Sequence, residues 1–261
     1  MALDGAFLRH IKNELSQTLI NGRVDKIYQP NKDEIIIAVR TREGLHRLLL
    51  SSRANSARVG ITLDTLENPM QPPMLCMLLR KKLSSARIID IQQPELERVL
   101  FFIFQAVNEL GDIVKLTLAV EIMGKYSNII LVDENNKVVD SIKRVDAEMS
   151  SQRLVLPGVG YQLPPKQDKL SIIETPVQDI VKKIKELPAD TELSKAVLSV
   201  VQGFSPIVCR EIEHLAGRGK EMYTKEMTDE DYFRLGFFMQ KIKEGVEDIK
   251  GSPCMVIDKQ G

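Results

Sequence analysis

The segment Leu156-Pro157-Gly158-Val159-Gly160-Tyr161-Gln162-Leu163-Pro164-Pro165 constrains the fold more than any other, because it sustains neither a helix nor a central strand. Short apolar runs precede it, at 23–29, 34–40, 45–50, 88–89, 99–104, 114–122, 128–132 and 138–142, each bounded by turn residues and rich in β-branched or Leu side chains. They predict hairpin-linked strands, with Asp133-Glu134-Asn135-Asn136 as one of the turns. One helix precedes them and another interrupts them. Leu3, Phe7, Leu8, Ile11, Leu15 and Leu19 recur at helical spacing over 3–20, and Pro72-Pro73 opens a helix over 73–84. Beyond Pro165 the period is helical at 177–187, 192–202, 206–217 and 228–248. An α+β domain followed by a small all-α domain is expected, with the boundary just after the Gly/Pro segment. Ser252-Pro253-Cys254-Met255-Val256-Ile257 reads as a further strand cut off at Gly261, so the sequence is expected to be part of something longer.

Charge and cysteine content exclude several functions. With 36 Lys+Arg against 36 Asp+Glu the 261 residues carry no net charge, which argues against a grossly basic nucleic-acid coat. Cys76, Cys209 and Cys254 lie far apart without a C-x-x-C pair, and His10, His46 and His214 are scattered, so neither a metal site, a disulfide framework nor a cofactor is expected. An acid near the start and the absence of any apolar run near ~18 residues predict a cytoplasmic protein with no membrane partner. Phosphate loops, nucleophile elbows and dinucleotide fingerprints are missing.

Three features bear on recognition chemistry. From Ile37 to Asp90 nine basic residues, including Arg40, Arg47, Arg80, Lys81 and Arg87, stand against four acids. They form either a phosphate-neutralising face or an ordinary solvated meander. Glu97-Arg98 sets an acceptor beside a fork of donors, a mixed set suited to unstacked bases, or else a plain surface ion pair. Gly203-Phe204-Ser205-Pro206 joins two helices, with Ser205 as N-cap and Pro206 as first helical residue; it is a structural stop and start, or a backbone anion site.

Several separated motifs together resemble the NFACT family. They are Met1-Ala2-Leu3-Asp4-Gly5 with Phe7-Leu8, Gly22-Arg23-Val24-Asp25-Lys26-Ile27-Tyr28-Gln29-Pro30, Pro72-Pro73-Met74 to Arg80-Lys81, Glu121-Ile122-Met123-Gly124-Lys125-Tyr126-Ser127-Asn128-Ile129-Ile130-Leu131, and Gly203-Phe204-Ser205-Pro206. The resemblance implies an NFACT-N domain over 1–170, a helix-hairpin-helix domain over 171–250 and the start of a following region over 251–261. It also implies a β-rich N-terminal fold like that of formamidopyrimidine-type DNA glycosylases, without glycosylase activity, since Ala2-Leu3 stands where those enzymes have a proline nucleophile and a glutamate. The implied function is ribosome quality control: binding tRNA (alanyl-tRNA) and the obstructed 50S subunit with its peptidyl-tRNA, and supporting template-free C-terminal alanine tailing. An older family label offers the alternative of a fibronectin-binding surface adhesin. Carried onto this sequence, the tRNA-binding or tailing positions are Asp4, Glu97 and Arg98, with glutamate at 97 where the family has aspartate. Arg80, Lys81, Lys125, Ser127, Asn128, Gly203 and Ser205 are further candidate nucleic-acid contacts.

Overall fold

The computed structural model describes residues 3–188 and 190–251; the expected strand at 252–257 lies outside them. The chain divides into two compact units, Met1–Gln167 and Asp168–Gly261.

The first unit is α+β. Helix α1 (Gly5–Leu19) leads into β1 (Arg23–Asn31), β2 (Glu34–Arg40), β3 (Leu45–Ser51) and β4 (Arg58–Ile61). After α2 (Met74–Leu83) come β5 (Arg87–Gln92), β6 (Val99–Val107), β7 (Ile113–Glu121), β8 (Asn128–Val132) and β9 (Val138–Ser141). The nine strands form one antiparallel sheet in the order β4-β3-β2-β1-β5-β6-β7-β8-β9. It is two meanders running in opposite directions from a seam between β1 and β5. The seam has a single register pair, Arg23 with Arg87, reinforced by backbone bonds such as Val24 N–H to Ala86 O at 2.9 Å.

Period-2 alternation builds the core. Ile35, Ile37 and Val39 of β2, Leu48 and Leu50 of β3, Phe102 and Phe104 of β6 and Leu118 and Val120 of β7 point to one face, where Leu8, Leu15 and Leu19 of α1 and Leu75, Leu79 and Leu83 of α2 cover them. Burying each such side chain stabilises the fold by roughly 1.5–3 kcal/mol relative to exposure. A smaller cluster on the opposite face, Ala119, Ile130, Val132 and Val138, is covered by Val155 with Val145 and Tyr161. One fully buried carboxylate, Glu121, sits on that face. Arg153 donates to both of its oxygens at 2.8 and 2.6 Å, and the Tyr161 hydroxyl donates at 2.9 Å. Burial and the Glu121 charge push the Tyr161 phenol far above its usual range. Burial opposes the Arg153 charge, but the bonds and charge of Glu121 outweigh it and hold the guanidinium above its ordinary value.

In the second unit β10 (Leu170–Ser171) pairs in parallel with β11 (Val201–Gln202), and α3 (Val177–Lys185), α4 (Leu193–Val200), α5 (Pro206–Ala216) and α6 (Asp229–Glu247) pack around Ile180, Val197, Cys209, Ile212, Leu235 and Met239. The helix expected over 192–202 ends at Val200, because Val201 and Gln202 take up the pairing with Leu170 and Ser171. Thr228 opens α6 with a capping box: its side chain accepts from Asp231 N–H while the Asp231 carboxylate accepts from Thr228 N–H. Among the described residues no helix is long and apolar enough to cross a membrane, and no group of three or more His, Cys, Asp or Glu is placed to hold a metal ion.

Candidate nucleic-acid interface

Three segments remote in sequence meet at one end of the sheet. The first is the start of α1, where Asp4, 8% exposed, is the N-cap and accepts from Phe7 N–H at 2.8 Å. The second is the β5–β6 connection with Glu97 and Arg98. Gln93 ties the two together, its side-chain amide donating to both Gly5 O and Glu97 O at 2.9 Å. The third is the β7–β8 connection, docked by the Ile122 N–H bond to Arg98 O at 2.8 Å.

That last connection is closely hydrogen-bonded. Gly124 takes a left-handed φ of 57° and opens a 3-10 turn, Gly124–Tyr126, so the chain reverses at the one residue type that bears this conformation without strain. Ser127, fully buried, accepts from Met123 N–H at 2.8 Å. Asn128, also buried, accepts from Ile129 and Lys143 N–H and donates to Lys143 O at 2.7 Å. Lys143 in turn donates through Nζ to Ser52 O at 2.6 Å; burial holds its ammonium below the usual lysine range, against the pull of Asp33.

The candidate residues therefore divide. Asp4, Glu97 and Arg98 are brought together, with Lys125 on the adjoining turn. Glu97 and Arg98 make no ion pair with each other, and among the described residues the guanidinium of the half-buried Arg98 has neither a hydrogen-bond acceptor nor an ion-pair partner. Ser127 and Asn128 have their side chains engaged in building the turn. Arg80 is likewise occupied, donating from Nε to Ile27 O at 2.8 Å and so pinning α2 to β1, and Lys81 pairs with Glu109 at 2.8 Å. In the second unit Gly203 has φ 83°, Ser205 is the N-cap of α5 and Pro206 its first residue.

Sequence reasoning missed the aromatic members. Tyr126 is 69% exposed with the Lys125 ammonium 4.9 Å from its ring centroid, and Phe7, beside Asp4, is 43% exposed. Period alone does not reveal them, since an aromatic in a turn or on a helix shoulder is as often packed as displayed. Exposed rings beside unpaired cations form stacking platforms for unpaired bases, with donors and acceptors near enough to reach base edges.

The model for the NFACT N-terminal and middle domains matches residues 4–261. The chain belongs to the NFACT family. The protein named Rqc2 homolog RqcH in Bacillus subtilis is 40% identical over 218 residues, 83% of this chain and 38% of that protein. Its namesake in Streptococcus pneumoniae is 39% identical over 263 residues, covering 100% of this chain and 45% of its own length. The chain thus spans less than half the length of these curated relatives. Among solved structures, the N-terminal part of the fibronectin/fibrinogen-binding protein from Streptococcus suis aligns with TM-score 0.76 at 33% identity, over 91% of this chain and 84% of that one. The N-terminal domain of fibronectin-binding protein PavA from Streptococcus pneumoniae aligns with TM-score 0.75 at 36% identity, over 82% and 84%.

Proposed function

We propose that the chain is the RNA-recruiting part of a ribosome quality-control factor. It would bind tRNA, with alanyl-tRNA as the productive cargo, on a 50S subunit obstructed by peptidyl-tRNA, and so support template-free C-terminal alanine tailing. The observation that carries this reading is that Gln93 joins the start of α1 to the Glu97-Arg98 segment and the Ile122–Arg98 bond docks the Lys125-Tyr126 turn's connection onto the same segment, in a chain whose relatives carry the RqcH name. Arg98 supplies a donor fork for a base edge or phosphate, Tyr126 and Phe7 supply stacking faces, and Asp4 and Glu97 supply carboxylates able to accept from exocyclic amines.

In this reading peptide-bond chemistry belongs to the ribosome, the chain is not an enzyme, and it works in the cytoplasm. The second unit, with its Gly203-Phe204-Ser205 turn between α4 and α5, serves as a helix-hairpin-helix element offering backbone N–H groups to phosphate. The test is co-sedimentation with 50S subunits carrying peptidyl-tRNA: wild-type chain should pellet with them, and Arg98→Ala should do so measurably less while melting at the same temperature. Equal pelleting of both would remove Arg98 from the interface.

A second reading follows from the fibronectin and fibrinogen binding ascribed to the similar solved structures. It predicts salt-tolerant fibronectin capture that is indifferent to Arg98.

A further inference from the structure

The sheet register answers a question that charge counting leaves open. Arg23 of β1 lies directly opposite Arg40 of β2 on one side and Arg87 of β5 on the other. Arg87 is opposite Gln105 of β6, and Gln105 is opposite Lys115 of β7. Directly opposed residues share a face, so Arg40, Arg23, Arg87, Gln105 and Lys115 form one continuous row across five strands, and all five are exposed. Their neighbours Val24, Val39, Ile88, Phe104 and Leu116 point the other way, into the core, which fixes the row's outward direction.

Like charges opposed on adjacent strands destabilise a sheet. Only Arg40 has a local counter-charge, Asp25 at 3.6 Å; among the described residues Arg23, Arg87 and Lys115 have no ion-pair partner. A seam held by one register pair is an unfavourable place for three opposed arginines unless something anionic lies over them. The row also borders a polar groove of about 570 Å³, lined by Thr18, Asn21, Thr41, Arg42, Glu43 and Arg87, whose mixed donors and acceptors suit a ribose or base edge.

We infer that this row is a phosphate-binding track for an RNA strand, separate from the Arg98 end of the sheet. At 4.7–4.9 Å per strand, Arg40 to Lys115 spans roughly 19 Å. That is too long for a single phosphate cluster and is enough to meet several consecutive phosphates of one strand. The inference rests on the RNA-binding reading above and extends it: Arg98 and its neighbours contact bases, while the row contacts backbone and is indifferent to sequence. An anionic membrane is disfavoured as occupant, because the bordering groove is polar and the exposed apolar side chains on the row's face, Leu45 opposite Arg40 and the Val107–Ile113 pair next to Gln105 and Lys115, flank the row at its ends and do not interrupt it.

The test is the salt dependence of binding to tRNA and to single-stranded poly(U), measured for wild type, Arg23→Gln/Arg87→Gln and Arg98→Ala. Neutralising two of the row's charges should reduce the slope of log K against log salt by about 1.5 for both RNAs, at roughly 0.7–0.9 for each phosphate left without its arginine. Because the double variant relieves like-charge repulsion, its melting temperature should not fall. Single Arg23→Gln and Arg87→Gln variants, each expected to lower the slope by about half as much, serve if the double variant does not fold. An unchanged slope with Arg98→Ala still weakened on tRNA would overturn the track and leave the base-contact site standing. Wild-type chain binding neither RNA would overturn both, and binding to phosphatidylglycerol vesicles in place of RNA would overturn the choice of occupant.

Discussion

Arg153→Ala isolates the role of the buried Glu121 carboxylate. Arg153 contributes two of the three side-chain bonds received by Glu121, and also donates to Gln162 O at 2.8 Å, so it fastens the segment around 153–162 to the outer face of β6 and β7. Truncation leaves Glu121, 0% exposed, with Tyr161 as its remaining side-chain partner. Removing one member of a buried pair costs about 3–5 kcal/mol, since the orphaned charge keeps its desolvation penalty. For a unit of this size each kcal/mol shifts melting by about 2–4 °C, so the first unit should melt roughly 6–20 °C lower. Tyr161→Phe, which leaves the ion pair intact, should cost less, about 1.5–3 kcal/mol. Glu121→Leu combined with Arg153→Met should recover much of the loss, because it removes both charges. Differential scanning calorimetry of the four proteins measures the series. A shift below about 2 °C for Arg153→Ala would mean that water reaches Glu121 once the guanidinium is gone, and the argument from burial would fail.

Other substitutions separate structural from recognition roles. Asp4→Ala should cost about 0.5–2 kcal/mol by removing the α1 cap, whereas Asp4→Asn keeps an N-cap acceptor and should melt near wild type; a tRNA-binding defect in Asp4→Asn alone would then report on the charge. Gly124→Ala must hold φ near 57°, costing about 1 kcal/mol, and should weaken tRNA binding further by displacing Lys125 and Tyr126; binding equal to wild type would remove this turn from the interface. In α6, hydrogen bonds from Thr228, with help from Arg234, hold the Asp231 carboxyl below its ordinary range. Their stabilisation is fully present above the unfolded pKa and lost as the pH falls through the lower folded one. Asp231→Asn should therefore flatten the acid limb of stability followed by circular dichroism, and an unaltered limb would refute the assignment.

Much of the fold is legible in the sequence because its apolar segments are bounded by turn residues. Ile35-Ile36-Ile37-Ala38-Val39 is an unbroken apolar run, buried throughout, between Asp33 and Arg42-Glu43-Gly44, and Leu8, Leu15 and Leu19 hold a helical stripe that stops at Asn21-Gly22. What eludes sequence is what distant pairing decides. Arg58-Val59-Gly60-Ile61 has too little apolar content to announce β4, which forms because β3 offers a partner edge. Val201-Gln202 extends a helical pattern, yet pairs with Leu170-Ser171, far earlier in the chain. The basic excess over 37–90 divides in the same way: Arg53 and Arg58 gather on Glu34, Arg80 on Ile27 O, and only Arg40 and Arg87 join Arg23 and Lys115, which lie outside that window, in the outer row. Glu97-Arg98 reads locally as an ion pair. Its recognition potential depends on Gln93 and on the 122–127 connection, which only the sheet brings alongside.

The central claim is that Arg98 contacts RNA and does not hold the fold together. Fluorescence anisotropy of labelled tRNA titrated with wild type and Arg98→Ala, beside thermal melts of both, tests it most directly. A donor fork engaging a base or phosphate is worth about 1–3 kcal/mol, so affinity should weaken by roughly 5- to 150-fold with the melting temperature unchanged. Equal affinity in the two proteins, or a loss that tracks unfolding of the variant, would contradict it.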